Sequence, residues 1–182
     1  MATAKTGSFY LTETVTIPAA SADATRVQAT VDLSAYVNVP TGQCVSIDQV
    51  DFISQVGSTF SSDAARMLAA NGSLGFQLTD LNPGTAFIRA DGQSLVASGA
   101  LQIDIANNIV SHHNDLYPDN FGPAALSESF MVVNDSLYLV GGVDGAAVGT
   151  SAVEITARIR CRVVKLGQKD WMAIAIQSTA ES

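Results

Sequence analysis

The sequence predicts an all-β fold, a single-domain β-sandwich, and three observations support this prediction. Apolar and polar residues alternate with a period of two along most of the chain, as in strands with one buried face. The 17 acidic residues are mostly aspartate, and the nine basic residues are mostly arginine. Because Asp favours turns and exposed helices collect Glu and Lys, few solvated helices are expected. The 182 residues suffice for one domain with a sizeable core, spanning residues 1–182.

About eight segments have strand character. In the first, SFYLTETVTIP, apolar side chains from Phe9 to Ile17 share one face, and Tyr and Thr side chains share the other. The others are 26–39, 44–56, 74–79, 85–90, 101–105, 130–140 and 153–166. This number of short strands predicts an eight-stranded jelly roll with one or two short helices. Residues expected in its interior are Phe9, Leu11, Val27, Val31, Leu33, Leu101, Ile103, Ile159 and Val163.

Local patterns add a bulge, two helices and two loops to this outline. In segment 44–56 the apolar phase switches between Ile47 and Val50, which predicts a β-bulge. Capping and stop signals predict a helix in SSDAARMLAANG (61–72). Helical spacing predicts a second helix in GQKDWMAIAIQST (167–179), and a strand over MAIAI is the alternative there. Residues 106–129 and 141–151 are expected to be long irregular loops, which tend to be functional or held by partners.

The low charge content predicts self-association. Charged residues make up 14 % of the chain, against about 25 % in an average soluble domain. Part of the surface is therefore expected to be covered, most simply by copies of the same chain. No apolar run approaches the roughly 20 residues that span a bilayer. The first residues lack the apolar segment of a signal peptide, so synthesis in a cytoplasm is expected.

Charge is unevenly distributed along the chain. Residues 1–150 carry 4 basic and 14 acidic groups (−10), whereas residues 151–182 carry 5 basic and 3 acidic groups (+2). In the last strand Arg158, Arg160 and Arg162 occupy alternate positions and are expected to face away from the core. Their partners are expected to be carboxylates of an adjacent strand or the acidic surface of a neighbouring subunit, and nucleic acid or anionic lipid is the third alternative. Without a wider basic surface, direct nucleic-acid binding is not expected.

No residue pattern indicates an enzyme, a metal site or a cofactor. His112 and His113 are adjacent, and with Asp115 they lack the distant second histidine that a two-histidine, one-carboxylate site needs. Nucleophile-elbow and phosphate-binding glycine motifs are missing from the sequence. Cys44 and Cys161 lie far apart, and both are expected to be free, buried thiols.

In outline the chain resembles the single jelly-roll capsid proteins of viruses, and especially the small major capsid proteins of tailless icosahedral viruses that enclose a membrane. The first strand SFYLTETVTIP, the last strand VEITARIRCRVVKL and the candidate protruding loops 106–129 and 141–151 carry this resemblance. It implies a virion structural protein, a capsid subunit that self-assembles into an icosahedral shell. The implied partners are copies of itself, other capsid proteins and an internal membrane that separates shell from genome.

A different class of function is the alternative. A carbohydrate- or receptor-binding β-sandwich module would have the same fold, and Tyr117 and Phe121 would form its aromatic platform. In the capsid interpretation, these two aromatic residues, Trp171 and the three arginines are the candidate interface residues.

Overall fold

The computed structural model describes residues 2–116 and 130–179, which are mostly strand. The strands are β1 (Thr3–Ala4), β2 (Phe9–Ile17), β3 (Arg26–Asp32), β4 (Gln43–Val56), β5 (Gly72–Thr79), β6 (Leu95–Asp104), β7 (Ile109–Leu116), β8 (Phe130–Val132), β9 (Ser136–Asp144) and β10 (Val153–Lys165). One α-helix, α1 (Gln168–Thr179), follows the last strand, and two three-residue 3-10 helices lie in loops.

The strands form two antiparallel sheets. In the first sheet the order is β2-β10-β4-β8, and β1 pairs with the end of β10 beyond β2. In the second sheet the order is β3-β9-β5-β6-β7. From β2 onward successive strands cross between the two sheets, except that β5, β6 and β7 form a meander in the second. This is a jelly roll with two additional strands, β1 and β7, which confirms the predicted all-β sandwich.

Alternating burial places the core between the two sheets. In β10, Val153, Ile155, Ala157, Ile159 and Cys161 are fully buried, and the intervening positions up to Arg160 are not. Of the nine residues predicted in the interior, five are buried: Val31, Leu33, Ile103, Ile159 and Val163. The other four are partly buried and pack against the core: Phe9, Leu11, Val27 and Leu101. The period-two pattern therefore identified the correct face of each of these strands.

The predicted bulge in β4 is confirmed, and it determines where two carboxylates lie. The register of β4 with β10 shifts so that Arg160 lies opposite Gln49 and Cys161 lies opposite Ile47. Asp48 is the extra residue between them. Without the bulge Asp48 and Asp51 would lie on opposite faces, and the extra residue brings both to the outer face of the first sheet.

The helix predicted over residues 61–72 is wrong. Only a 3-10 helix, Ala64–Arg66, forms there, and the Asp63 side chain accepts a hydrogen bond from Ala65 N. After it, Met67 and Leu68 are buried in the core, and their backbone pairs with residues 147–149 instead of with a following helical turn. Burial of these two side chains outweighs the helical preference of so short a segment. The predicted C-terminal helix is confirmed as α1.

Segment boundaries also differ from the predictions. Residues 85–90 form no strand, because the Gln77 side-chain amide makes both hydrogen bonds with the Ile88 backbone that a neighbouring strand would make. Strand β3 ends at Asp32 rather than at residue 39. Part of the predicted loop 106–129 is strand β7, and the loop predicted over 141–151 begins only after β9 ends at Asp144.

Candidate functional site: the arginine strand and the helix beside it

Strand β10 places the three arginines in line between β2 and β4 on the outer face of the first sheet. Arg158 is exposed, and it lies in register with Thr12 on β2 and with Asp51 on β4. Its guanidinium carbon lies 5.1 Å from the centre of the Tyr10 ring, a cation–π distance. Tyr10 is 51 % exposed, so this pair presents both an aromatic ring and a positive charge to the surroundings.

The middle arginine is half-buried. Arg160 lies in register with Tyr10 and Gln49, and the Gln49 side-chain amide donates to Asp51 Oδ1 at 2.9 Å. The Nε atom of Arg160 is buried and has no hydrogen-bond acceptor among the described residues. A buried guanidinium N–H without an acceptor is costly, and the Nε of Arg162 is also buried without an acceptor among the described residues.

The third arginine departs from the predicted exposed stripe. Arg162 is only 7 % exposed, and its Nη2 donates to Asp48 Oδ1 at 2.6 Å. The Asp48 side chain is fully buried, and the bulge places its carboxylate next to the Arg162 guanidinium. Arg162 is thus paired with a carboxylate of the adjacent strand β4 in the same subunit, which was one of the expected alternatives. Such a buried ion pair costs much when one partner is removed, because the other charge is then left uncompensated.

Helix α1 covers the outer face of the sheet beyond Arg162. A second small core forms there, in which Cys44, Val133, Val164 and Leu166 contact Trp171, Ile174 and Ala175. Trp171 is therefore half-buried within its own subunit, and a cavity of about 340 Å³ next to it is lined by Val39, Gly42, Gln168, Lys169, Trp171 and Met172. Met172 and Ile176 point away from the sheet and are 58 % and 62 % exposed. The predicted interface role of Trp171 stays a prediction.

The remaining sequence-based candidates lie in part outside the described residues. Tyr117 and Phe121 lie outside the described residues. Within residues 2–116 and 130–179, no group of three or more His, Cys, Asp or Glu side chains could hold a metal ion. No helix in the described part of the chain is long and apolar enough to cross a membrane.

Both cysteines are free and buried, as predicted. Burial raises the pKa of the Cys44 thiol to about 12. Burial, and secondarily the Asp48 charge, raises the pKa of the Cys161 thiol to about 12 as well. Neither thiol is therefore suited to act as a nucleophile at neutral pH, because the thiolate is the reactive form.

One buried carboxylate was not singled out in the sequence. Asp80 follows β5, is 2 % exposed, and its Oδ1 has no hydrogen-bond partner among the described residues. Burial raises its pKa to about 6, an effect that a backbone hydrogen bond partly opposes. Its backbone is held by Ser94 O and by the Asn134 side chain, which come from distant parts of the chain. No local pattern could have revealed this burial.

Comparisons with known proteins give matches among solved structures alone. No protein-family model matches the chain, and no curated protein matches it. A chain from the structure of Turnip Yellow Mosaic Virus at 100 K matches at 9 % identity and a TM-score of 0.31, covering 91 % of this chain and 99 % of that one. A Desmodium Yellow Mottle Tymovirus chain matches at 10 % identity and a TM-score of 0.29, covering 89 % and 91 %.

A third virus structure gives a similar match. A chain from the structure of Maize Chlorotic Mottle Virus is 12 % identical with a TM-score of 0.31, and the match covers 88 % of this chain and 96 % of that one. TM-scores this low carry no argument about the present chain. The jelly-roll assignment above therefore depends on the strand order and on the burial pattern.

Proposed function

We propose that the chain is a virion structural protein, a capsid subunit that assembles with copies of itself into a shell. The observation that carries the proposal is the strand order β2-β10-β4-β8 packed on β3-β9-β5-β6, which is the architecture expected from the resemblance described above. Because the same fold hosts many functions, the proposal also needs support from the surface.

The surface offers apolar area that a partner would cover. Charged residues are only 14 % of the chain. The exposed large apolar side chains lie on the outer sheet face, on α1, on β7 and in loops: Tyr10, Val39, Ile53, Phe60, Ile109, Val110, Met172 and Ile176. A subunit surrounded by neighbours on several sides buries such side chains, whereas a lone domain leaves them in water.

The proposed subunit contact involves Arg158 and Arg160. Three other arginines already have aspartate partners, in the pairs Arg26–Asp144, Arg89–Asp91 and Arg162–Asp48. Arg158 is exposed and Arg160 is half-buried on the outer face of the sheet. Since residues 1–150 carry a charge of −10, the acidic surface of a neighbouring copy is a suitable partner for these two positive charges.

The proposal includes what lies beneath the shell. We propose that lipid lies between the shell and the genome, so that the subunit does not contact nucleic acid directly. We also propose that the subunit is made in the host cytoplasm and performs no catalysis. The net charge of −8 supports the lack of direct contact with nucleic acid, because phosphate binding requires a concentration of basic side chains. Other capsid proteins are proposed as further partners.

The test combines imaging with a charge reversal. Wild-type protein is examined by size-exclusion chromatography with light scattering and by negative-stain microscopy, over a range of concentrations and at low and high salt. We expect shells, sheets or capsomer-like rings. Arg160→Glu should weaken assembly while circular dichroism shows a folded monomer, and Arg89→Glu, at an 88 % exposed side chain, is the matched control.

Two outcomes would contradict the proposal in different ways. If Arg160→Glu assembles like wild type at both low and high salt, the arginine strand has only intramolecular partners. If wild type stays monomeric at every concentration and binds a glycan array, the alternative binding-module function is correct.

A further inference from the structure

Three loops at one end of the sandwich enclose an open cavity. They join β2 to β3, β4 to β5 and β9 to β10, and all of their residues are described. The cavity has a volume of about 600 Å³. Four alanines and the buried side chains of Leu68 and Val148 line it, and Arg66 is the one charged residue among its described lining residues. A largely apolar cavity of this size is suited to an apolar side chain or a small ligand.

Hydrogen bonds between the three loops hold the walls of the cavity in place. Ala20 N donates to Gly149 O at 2.9 Å, and Ala69 N donates to Ala147 O at 2.9 Å. A Cβ atom at Gly149 would lie 2.6 Å from Arg66 O, so two of the loops approach each other there more closely than a side chain allows. The cavity is therefore already formed in the free subunit, and binding an occupant costs little reorganisation.

A turn at the same end of the sandwich holds an aromatic ring in the solvent. Phe60 is 55 % exposed, and its φ of +53° lies in the left-handed region that bulky residues rarely adopt. Backbone hydrogen bonds between Val56 and Ser61 close the turn, and the Gln55 side-chain amide donates to Phe60 O at 2.9 Å. These bonds maintain a strained conformation, and such strain is often found at binding sites.

We propose that Phe60 of one subunit occupies the cavity of a second copy of the chain. Phe60 does not line the cavity of its own subunit, so one contact between two copies covers both an exposed ring and an open cavity. A contact between two different patches of the same chain is heterologous, and it closes into a ring when the rotation permits. The inference rests on the proposed function only in that both require self-association.

Shape favours Phe60 as the side chain that enters the cavity. The other large apolar side chains exposed among the described residues lie in strands, in α1 or in a 3-10 helix. Side chains on the face of a sheet stand in a broad, flat surface, whereas a ring on a tight turn projects and fits a concave site. Phe60 is therefore the exposed apolar side chain that is best placed to reach into another subunit.

Arg66 favours an aromatic occupant. Its Nη2 lies 3.4 Å from Ser151 Oγ, and its guanidinium forms no ion pair with a carboxylate of the described residues. The cation–π contacts within the described part of the chain are made by other arginines. An exposed guanidinium of this kind can stack on an aromatic ring, so Arg66 offers the ring of Phe60 a contact that an aliphatic side chain would lack.

Cysteine crosslinking between two variants tests the contact directly. Thr59→Cys places a thiol beside Phe60 and keeps the ring, and Ala69→Cys places a thiol in the cavity; both positions are exposed. The native thiols do not interfere, because Cys44 and Cys161 are both 0 % exposed. After the two proteins are mixed under mild oxidation, we expect a disulfide between Thr59→Cys and Ala69→Cys chains to form faster than a homodimer of either variant.

The control mixture combines Thr59→Cys with Met172→Cys, a variant at a 58 % exposed position on α1. Helix α1 follows the end of β10, whereas the cavity lies where β10 begins, so this pair should crosslink much more slowly. Mass spectrometry identifies the joined peptides in each mixture. Equal rates in the two mixtures would overturn the inference, because random collision then explains both.

Substitution of the ring separates its role in contact from its role in the fold. Glycine adopts a positive φ without strain, so Phe60→Gly should leave the subunit at least as stable as wild type in urea unfolding. The same variant should weaken self-association about tenfold or more in sedimentation velocity, as expected when a central aromatic side chain is removed from a contact. Met172→Ser, which removes apolar surface at a similarly exposed position, is the matched control.

The outcomes distinguish this inference from the proposed function. If wild type associates and Phe60→Gly associates equally well, the ring does not enter a second copy, and the inference alone is wrong. If wild type stays monomeric at every concentration, the inference and the proposed function are both wrong.

Discussion

Asp80 should make the stability of the protein fall as pH rises from about 4 to about 6. The residue is 2 % exposed, its Oδ1 lacks a hydrogen-bond partner among the described residues, and burial raises its pKa from 3.8 to about 6. Between these two pKa values the folded state keeps a proton that the unfolded state has lost. Because the folded state binds more protons there, the free energy of unfolding decreases with increasing pH, and the loss is complete above the folded-state pKa.

The size of the effect follows from the pKa difference. A difference of roughly two units, at about 1.4 kcal/mol per unit, sets an upper limit near 3 kcal/mol, so a loss of about 1–3 kcal/mol is expected at pH 7. Asp80→Asn keeps the shape of the side chain and removes the ionisation. The variant should therefore gain stability over wild type at pH 7.5, and most of that gain should disappear at pH 4.

Urea unfolding, followed by circular dichroism and by the fluorescence of Trp171, measures these differences at the two pH values. Comparing variant with wild type at each pH cancels the other titrating groups. Asp104→Asn is the control with the opposite sign, because hydrogen bonds from Asn107 and Asn71 lower the Asp104 pKa. Its charged form stabilises the fold above the unfolded pKa, so this substitution should destabilise at pH 7.5 and lose its effect as pH falls. A stability difference between Asp80→Asn and wild type that is equal at both pH values would refute the reasoning.

Two further predictions concern the buried pair and the core. Asp48→Ala should lower the free energy of unfolding by about 3–5 kcal/mol, because it leaves the Arg162 charge buried without a partner. In urea titrations the double variant Asp48→Ala/Arg162→Met should recover most of that loss. A double variant less stable than Asp48→Ala would contradict this prediction. Ile159→Ala, at a fully buried position, should cost about 2–4 kcal/mol, whereas Ile53→Ala on the outer face should cost about 1 kcal/mol or less. Equal losses would place Ile159 outside the core.

The sequence predicted the parts of the fold that depend on local periodicity. The alternation in β10 identified Ile159 as core, and the phase switch between Ile47 and Val50 identified the bulge. Side chains that fill the space between two sheets must follow the period of the strand, so the apolar alternation in the sequence indicates which residues are buried. For the same reason the outer position of Arg158 was predictable.

Features that depend on distant segments were not predictable. The buried Arg162 is paired with the bulged Asp48, which comes from a distant part of the chain. The segment around Met67 has helical start and stop signals, yet its backbone pairs with residues 147–149. The edge strand β7 lies in a polar segment whose strand character depends on pairing with β6.

Cryo-electron microscopy of the concentrated wild-type protein tests the central claim most directly. If the chain is a capsid subunit, images should contain closed or curved arrays in which each repeat accommodates one jelly-roll sandwich, with Arg158 and Arg160 at a contact between repeats. Particles that remain single subunits at every concentration and salt condition would contradict the account.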